Sequence, residues 1–164
     1  MAQRVFISIG SNLGDRIANC RAAARLISES PGIRLLKESS LYENEPWGVK
    51  DQPAFINSVI EIETTLPPRE LLVLLKSIET VIGRKTAGRW GPREIDLDII
   101  FYGGGIVDEE GMTIPHPYAH ERIFVLLPLA EIAPDLIHPV FKKSVFELLG
   151  AITERGWIRK IDNR

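Results

Sequence analysis

Between Val5 and Tyr102 the chain changes pattern in a fixed order: a short β-branched and aromatic run, then a helical stripe, two further strand-like runs, a second helical stripe, and a last run in which charged and apolar residues alternate with a two-residue period. That order, strand, helix, strand, strand, helix, strand, restricts the chain more than any other feature. It predicts an α+β fold with a ferredoxin-like βαββαβ core, an antiparallel sheet backed by two helices, and a C-terminal elaboration. The first strand is expected over 5–9, closed by Gly10, and a helix over 16–28 on the stripe Ile17, Cys20, Ala24 and Ile27, stopped by Pro31 and Gly32. Strands follow over 33–42 and 55–64. Pro67 and Pro68 open a second helix with the stripe Leu71, Leu75, Ile78 and Ile82, and Gly83 ends it. The last core strand is expected over 94–102, before Gly103, Gly104 and Gly105. Helices over 121–132 and 144–149 and a strand over 157–161 make up the elaboration.

The 164 residues are expected to form one domain, residues 1–164, because 45% hydrophobic and 26% charged residues suit a self-contained core. A net charge of −2 and a pI near 6.0 leave no overall footprint for nucleic acid or an anionic membrane, so any anion site must be a local cluster. No apolar run reaches the length of a membrane span, and the N-terminus lacks the pattern of a secretion signal. The compartment is read as cytoplasm, or an organelle after processing, and no membrane, nucleic-acid or obligate protein partner is expected. Cys20 has no second cysteine to pair with, and its alanine-rich surroundings read as a buried structural thiol.

The sharpest chemical signal is Asp96-Leu97-Asp98. On a strand, residues two apart share a face, so both carboxylates point one way while Ile95, Leu97 and Ile99 point the other. With Cα atoms about 6.6 Å apart, the two anions repel unless a cation or a basic neighbour offsets them. Magnesium suits such a pair, because it takes oxygen ligands from one or two carboxylates and completes its shell with water and phosphates. The preceding loop supplies Arg84, Lys85, Arg89 and Arg93, with Trp90 among them, and cations beside a metal site imply phosphate. Alone, the DxD pattern is equally an exposed polar strand face. Neither GxxxxGK[ST] nor GxGxxG occurs, so the nucleotide sites built on those loops are excluded. The turn Gly10-Ser11-Asn12-Leu13-Gly14-Asp15 is explained by capping and is left out of the catalytic set.

Phe55 and Asn57 share a strand face and pair an aromatic plane with an amide, which suits a flat heterocycle with polar edges, although on pattern alone Phe55 is better read as an ordinary core residue. His116, Tyr118, His120, Arg122 and Phe124 cluster in one short segment. Pro117 interrupts the helical spacing that a zinc pair at His116 and His120 would need.

The blocks GSNLGDR, YENEPWGVKDQPAFIN, GRWGPREIDLDIIFYG and IPHPYAHERIFVL stand in the order and spacing of the 6-hydroxymethyl-7,8-dihydropterin pyrophosphokinases, and the chain resembles that family nearly end to end. The resemblance implies transfer of the β and γ phosphates of ATP, as one unit, to the pterin hydroxymethyl oxygen in folate biosynthesis. It implies two magnesium ions between Asp96, Asp98 and the triphosphate. It also implies a pterin ring between Phe55 and Phe124, read by Asn57 and by groups near Asn44, Pro46 and Trp47. By the same resemblance Arg84, Arg93, His116 and Arg122 contact ATP phosphates, with Lys85, Arg89, Trp90, Tyr118 and Glu79 in the nucleotide pocket and Arg84, Arg93, Asp96 and Asp98 as the catalytic set. Asn44 stands where the family usually carries threonine, and the basic loop is slightly short. A noncatalytic ferredoxin-like binding module and a magnesium phosphohydrolase are the competing readings; the first has no use for paired carboxylates beside arginines, and the second leaves the aromatic pair unexplained.

Overall fold

The computed structural model describes residues 1–46, 51–84 and 92–161. The first strand, β1 (Gln3–Ser11), sits near the centre of a six-stranded sheet between β4 (Phe55–Thr64) and β5 (Asp96–Tyr102). The outer edge of β4 carries two short strands end to end, β2 (Ile33–Glu38) and β3 (Tyr42–Asn44), and β8 (Ile158–Lys160) pairs with β3. Every pairing is antiparallel, which is the ferredoxin-like order expected from the periodicity.

Each face of the sheet packs on helices. Val5, Ile7 and Ile9 of β1, Ile56, Ile60 and Ile62 of β4, and Leu97 and Ile99 of β5 meet α1 (Arg16–Ser28) and α2 (Pro68–Ile82). Phe6, Val59, Ile100 and Phe101 face α3 (Ile123–Ile132) and α4 (Val145–Gly150). Fully burying an Ile or Leu side chain contributes about 1.5–3 kcal/mol, so these two layers hold the sheet from both sides. A bulge opposite Phe6 and Ile7 leaves Ile100 as the extra residue of β5, which is why the consecutive residues Ile100 and Phe101 serve the same core. Cys20 is 1% exposed and its thiol donates to the Ile56 carbonyl, and burial pushes its pKa up to about 12, so it is a structural thiol. Gly83 caps α2 at φ +113°, a conformation a side chain would oppose.

The single strand expected over 33–42 is instead two. Ser39 breaks it: its backbone N–H donates to the Val59 carbonyl and its hydroxyl accepts from the Val59 N–H, while Ser40 N–H donates to Glu131 of α3. A serine side chain thus replaces a ladder partner and lets β3 resume in a shifted register, with Tyr42 opposite Asn57. The first strand is longer than expected, running through Gly10 to Ser11. Strand β5 begins at Asp96, not residue 94, because Arg93 N–H is held by the Asn12 side chain and the Glu94 carbonyl accepts from Asn19. A 3-10 turn over Ala119–Glu121 precedes α3, and Arg122 between them is extended, so the helix expected from residue 121 starts at Ile123. The hairpin of β6 (Val107–Glu109) and β7 (Met112–Ile114) had no periodic signal. Among the described residues, no helix is long and apolar enough to cross a membrane.

Candidate functional site

A cavity of about 110 Å³ lies on the α3 face of the sheet. Its floor is Ser8 and Gly10 of β1, Phe55 and Asn57 of β4, and Asp96, Asp98 and Ile100 of β5, and its roof is Arg122, Phe124 and Val125 at the start of α3. Arg93 closes one side. The strand alternation delivers these polar groups together, since the neighbouring residues Ile9, Ile56 and Leu97 are fully buried in the opposite core.

Register does the rest. Gly10 pairs with Asn57 on one side and with Asp96 on the other, so Asn57, Gly10 and Asp96 form one row across three strands. Ser8 lies opposite Asp98 in the same way. Gly10 is required here by space: a Cβ on it would meet Asn57 Oδ1 at 2.6 Å and Phe55 at 3.7 Å. The row therefore leaves an open floor between an amide and a carboxylate, bordered by Phe55 and Phe124.

The Asn57 amide is held in one orientation. Its Nδ2 donates to Asn44 Oδ1 at 2.6 Å, and Asn44 Nδ2 donates to the Glu45 carbonyl at 2.8 Å, which leaves Asn57 Oδ1 facing the Gly10 gap. Asn44, 2% exposed, thus acts on the cavity through Asn57 and does not line it. Pro46 is buried at the end of the same segment.

Electrostatics separate the two carboxylates. Arg84 and Arg93 each place an Nη1 atom 3.4 Å from Asp96 Oδ1. Asp98 lacks such a bond among the described residues; burial and the charge of Asp96 push its pKa up to about 7, against the weaker pull of Lys76 and Arg122. Two carboxylates on one face, one of them disfavoured as an anion, make a donor pair that a hard divalent cation relieves. No group of three or more metal-ligating side chains occurs among the described residues, so a cation here would complete its shell with water and phosphate oxygens, which magnesium does readily.

Glu79 lies behind this site. It is 3% exposed, accepts from the Leu97 N–H at 2.8 Å between the two aspartates, and pairs with Arg84 at 2.9 Å and Lys76 at 3.5 Å. It does not line the cavity; it holds the edge strand that carries the carboxylates. A second cavity, of about 260 Å³, adjoins Asp98 and is lined by Leu72, Ile99, residues 111–114, His116 and Pro117. His116 reaches it because its N–H donates to the Ile100 carbonyl at the β5 bulge. Burial, then the charge of Arg122, lowers the His116 pKa to about 4, so the ring is neutral near pH 7. Its Nδ1 accepts from the Tyr118 N–H, which assigns the ring proton to Nε2. The Arg122 guanidinium, in the roof of the first cavity, lies 5.5 Å from the centre of the Tyr118 ring and 5.7 Å from that of Phe124.

Trp47, Lys85, Arg89 and Trp90 lie outside the described residues. Three residues that matter were missed from sequence. Ser8 and Gly10 are small residues alternating with Val5, Ile7 and Ile9, a pattern that marks a floor once the strand is extended past Gly10. Asn12, fully buried, donates to Gln52 Oε1 and the Pro53 carbonyl and accepts from the Arg93 N–H, tying the segment before Phe55 to the arginine beside Asp96. Nothing local to Asn12 distinguishes this role from helix capping.

The sequence model of the 7,8-dihydro-6-hydroxymethylpterin-pyrophosphokinase (HPPK) family matches residues 6–134. A 2-amino-4-hydroxy-6-hydroxymethyldihydropteridine pyrophosphokinase of Methylorubrum extorquens is 45% identical over 93% of this chain and 96% of its own length. The protein of the same name from Aquifex aeolicus is 39% identical over 87% of this chain and 88% of its own. The folic acid synthesis protein fol1 of Pneumocystis carinii is 49% identical over 87% of this chain, which spans 19% of that longer protein. Among solved structures, wild-type HPPK-DHPS of Plasmodium falciparum with pteroate superposes with a TM-score of 0.73 at 16% identity; 92% of this chain and 42% of that one are covered, and the likeness is one of fold.

Proposed function

The chain belongs to the 7,8-dihydro-6-hydroxymethylpterin-pyrophosphokinase family, and from that premise we infer how its site works. The enzyme transfers pyrophosphate from ATP to the hydroxymethyl group of 6-hydroxymethyl-7,8-dihydropterin in folate biosynthesis and releases AMP. The observation that supports the residue assignment is the row Asn57, Gly10, Asp96, which sets an amide and a carboxylate on either side of an open glycine floor.

The pterin ring lies over Gly10 between Phe55 and Phe124. Asn57 Oδ1 accepts from donors on the ring edge, in the orientation imposed by Asn44, and groups at Pro46 and Trp47 complete the edge. This points the hydroxymethyl arm toward the carboxylates. The nucleotide enters from the His116 cavity, with the neutral His116 Nε2–H and the Arg84, Arg93 and Arg122 guanidinium groups donating to the phosphate chain. Tyr118, Lys85, Arg89 and Trp90 belong to the same nucleotide pocket, and Glu79 acts by holding β5 and Arg84. Asp96 and Asp98 would hold magnesium, two ions with ATP, which supplies charge neutralisation to the phosphates when bound. Positioning and charge are most of what phosphoryl transfer asks of a protein, and the site has an arginine set for both. The whole chain acts as one domain, in the cytoplasm, with small molecules as its substrates.

The test is chromatography of nucleotides after incubation with ATP, magnesium and the pterin alcohol, with and without the pterin. Pterin-dependent AMP is expected. ADP as product, or AMP formed equally without the pterin, overturns the reading.

A further inference from the structure

The arginine that ends the motif GSNLGDR has no part in the site described above, and it lies on the other side of the sheet. Arg16 is the first residue of α1. Its Nη1 donates to Glu43 Oε2 at 2.9 Å and also to the Ala54 carbonyl at 2.8 Å. Those two acceptors come from segments that join the active face one residue later. Glu43 precedes Asn44, whose amide fixes Asn57, and Ala54 precedes Phe55, the aromatic floor of the cavity.

Strand alternation carries the constraint through the sheet. Glu43 faces α1, so Tyr42 and Asn44 face α3, and the Tyr42 hydroxyl donates to Glu131 of α3 at 2.6 Å. Glu43 is 9% exposed and anionic, with its pKa held below the usual carboxylate value chiefly by Arg159 and, after the opposing effect of burial, by Arg16. Its second oxygen, Oε1, accepts from Arg159 Nε at 3.0 Å and from Arg159 Nη2. Arg159 stands opposite Glu43 on β8, and β8 is further tied to β3 by backbone bonds from Glu45 N–H to Trp157 O and from Ile161 N–H to Leu41 O. Strand β8 lies beyond residue 134, where the family match ends.

We propose that Arg16 and Glu43, braced by Arg159, are positioning residues that set the affinity for the pterin by holding Asn44 and Phe55 from behind the sheet. The proposal rests on the pterin site assigned under Proposed function. Both bonds leave one nitrogen, Nη1, whose two protons are fixed in the guanidinium plane and so point at the two segments together; a lysine ammonium has protons enough for both acceptors but leaves their directions to a flexible stem. Among the described residues, no bond of Arg16, Glu43 or Arg159 reaches Arg84, Arg93, Asp96 or His116 directly; the one link runs from Pro53 through Asn12 to the Arg93 N–H, so the main effect falls on the pterin side.

Steady-state kinetics of Arg16→Ala, Arg16→Lys and Arg159→Ala test it, with MgATP affinity measured separately by calorimetry in the absence of pterin. For Arg16→Ala the pterin KM is expected to rise by roughly 10–50-fold, with kcat and the ATP KM within about twofold of wild type, since small misplacements of binding groups have effects of this order. Arg16→Lys is expected to recover part of that loss. Arg159→Ala, whose side chain is 70% exposed and whose loss leaves Arg16 in place, is expected to raise the pterin KM by about 2–5-fold in a well-folded protein. An unchanged pterin KM in both alanine variants, or an equal loss in the ATP and pterin constants, or a fall in kcat alone overturns the proposal. Wild-type protein that forms no pterin-dependent AMP overturns the functional reading, and the positioning role with it; an active wild type beside unaltered variants overturns only the positioning role.

Discussion

Replacing Asp98 with asparagine should stabilise the metal-free fold while removing turnover. In the unfolded chain the carboxyl titrates near 3.8, and in the fold at about 7, because the buried anion faces Asp96. Below pH 3.8 both states are protonated and the group costs nothing. As pH rises from 3.8 to 7 the unfolded chain gives up its proton first, so stability falls by about 1.4 kcal/mol per pH unit and the loss is complete above pH 7. That sums to roughly 4 kcal/mol at most, and solvent at the cavity mouth reduces it to about 2–4 kcal/mol. Urea unfolding of wild type and Asp98→Asn in EDTA is therefore expected to show the variant more stable by about 2–4 kcal/mol at pH 8.5, with the gap shrinking by more than half at pH 5. Saturating MgATP should restore the wild type, by about 2.7 kcal/mol at a hundredfold excess over Kd, and leave the variant almost unmoved. A variant no more stable than wild type at pH 8.5, or a gap of the same size at both pH values, would refute the idea that the two carboxylates oppose each other in the metal-free fold.

Three further outcomes follow from the geometry. Gly10→Ala forces its Cβ to 2.6 Å from Asn57 Oδ1, so the amide must turn and give up Asn44; the pterin KM should rise by about 10–100-fold with ATP binding unchanged, and a wild-type pterin KM would contradict the assigned row. His116, with a pKa near 4, should show no imidazole titration by NMR between pH 5.5 and 8 in the metal-free protein, whereas a midpoint near 6.5 would mean the ring is more solvated than its surroundings indicate. Tyr42→Phe removes the 2.6 Å bond to Glu131 and should destabilise the fold by about 1–2 kcal/mol in urea melts without altering the ATP KM; no change in stability would argue that water replaces the hydroxyl.

Much of this protein is written locally. Two helical stripes, three runs rich in strand-forming residues bounded by turn residues, and one two-residue alternation specify the βαββαβ order, because each element's residues follow its own geometry. The same rule is enough to place Asp96 and Asp98 on one face, and Leu97 is fully buried on the other, as that rule requires. Four sequence blocks identify the family. Other features depend on residues far apart in the chain. The break at Ser39 needs Val59 as a partner, and Gly10 matters because Asn57 and Asp96 lie on either side of it. Asn44 acts through Asn57 in the fold, not directly on the cavity, and Glu79 supports the strand from behind. Arg16 reaches Glu43 and Ala54 only because α1 packs across their segment ends. Local periodicity determines which face a side chain takes, but cross-strand register determines which side chain it meets, and register is settled by pairing and packing over the whole sheet.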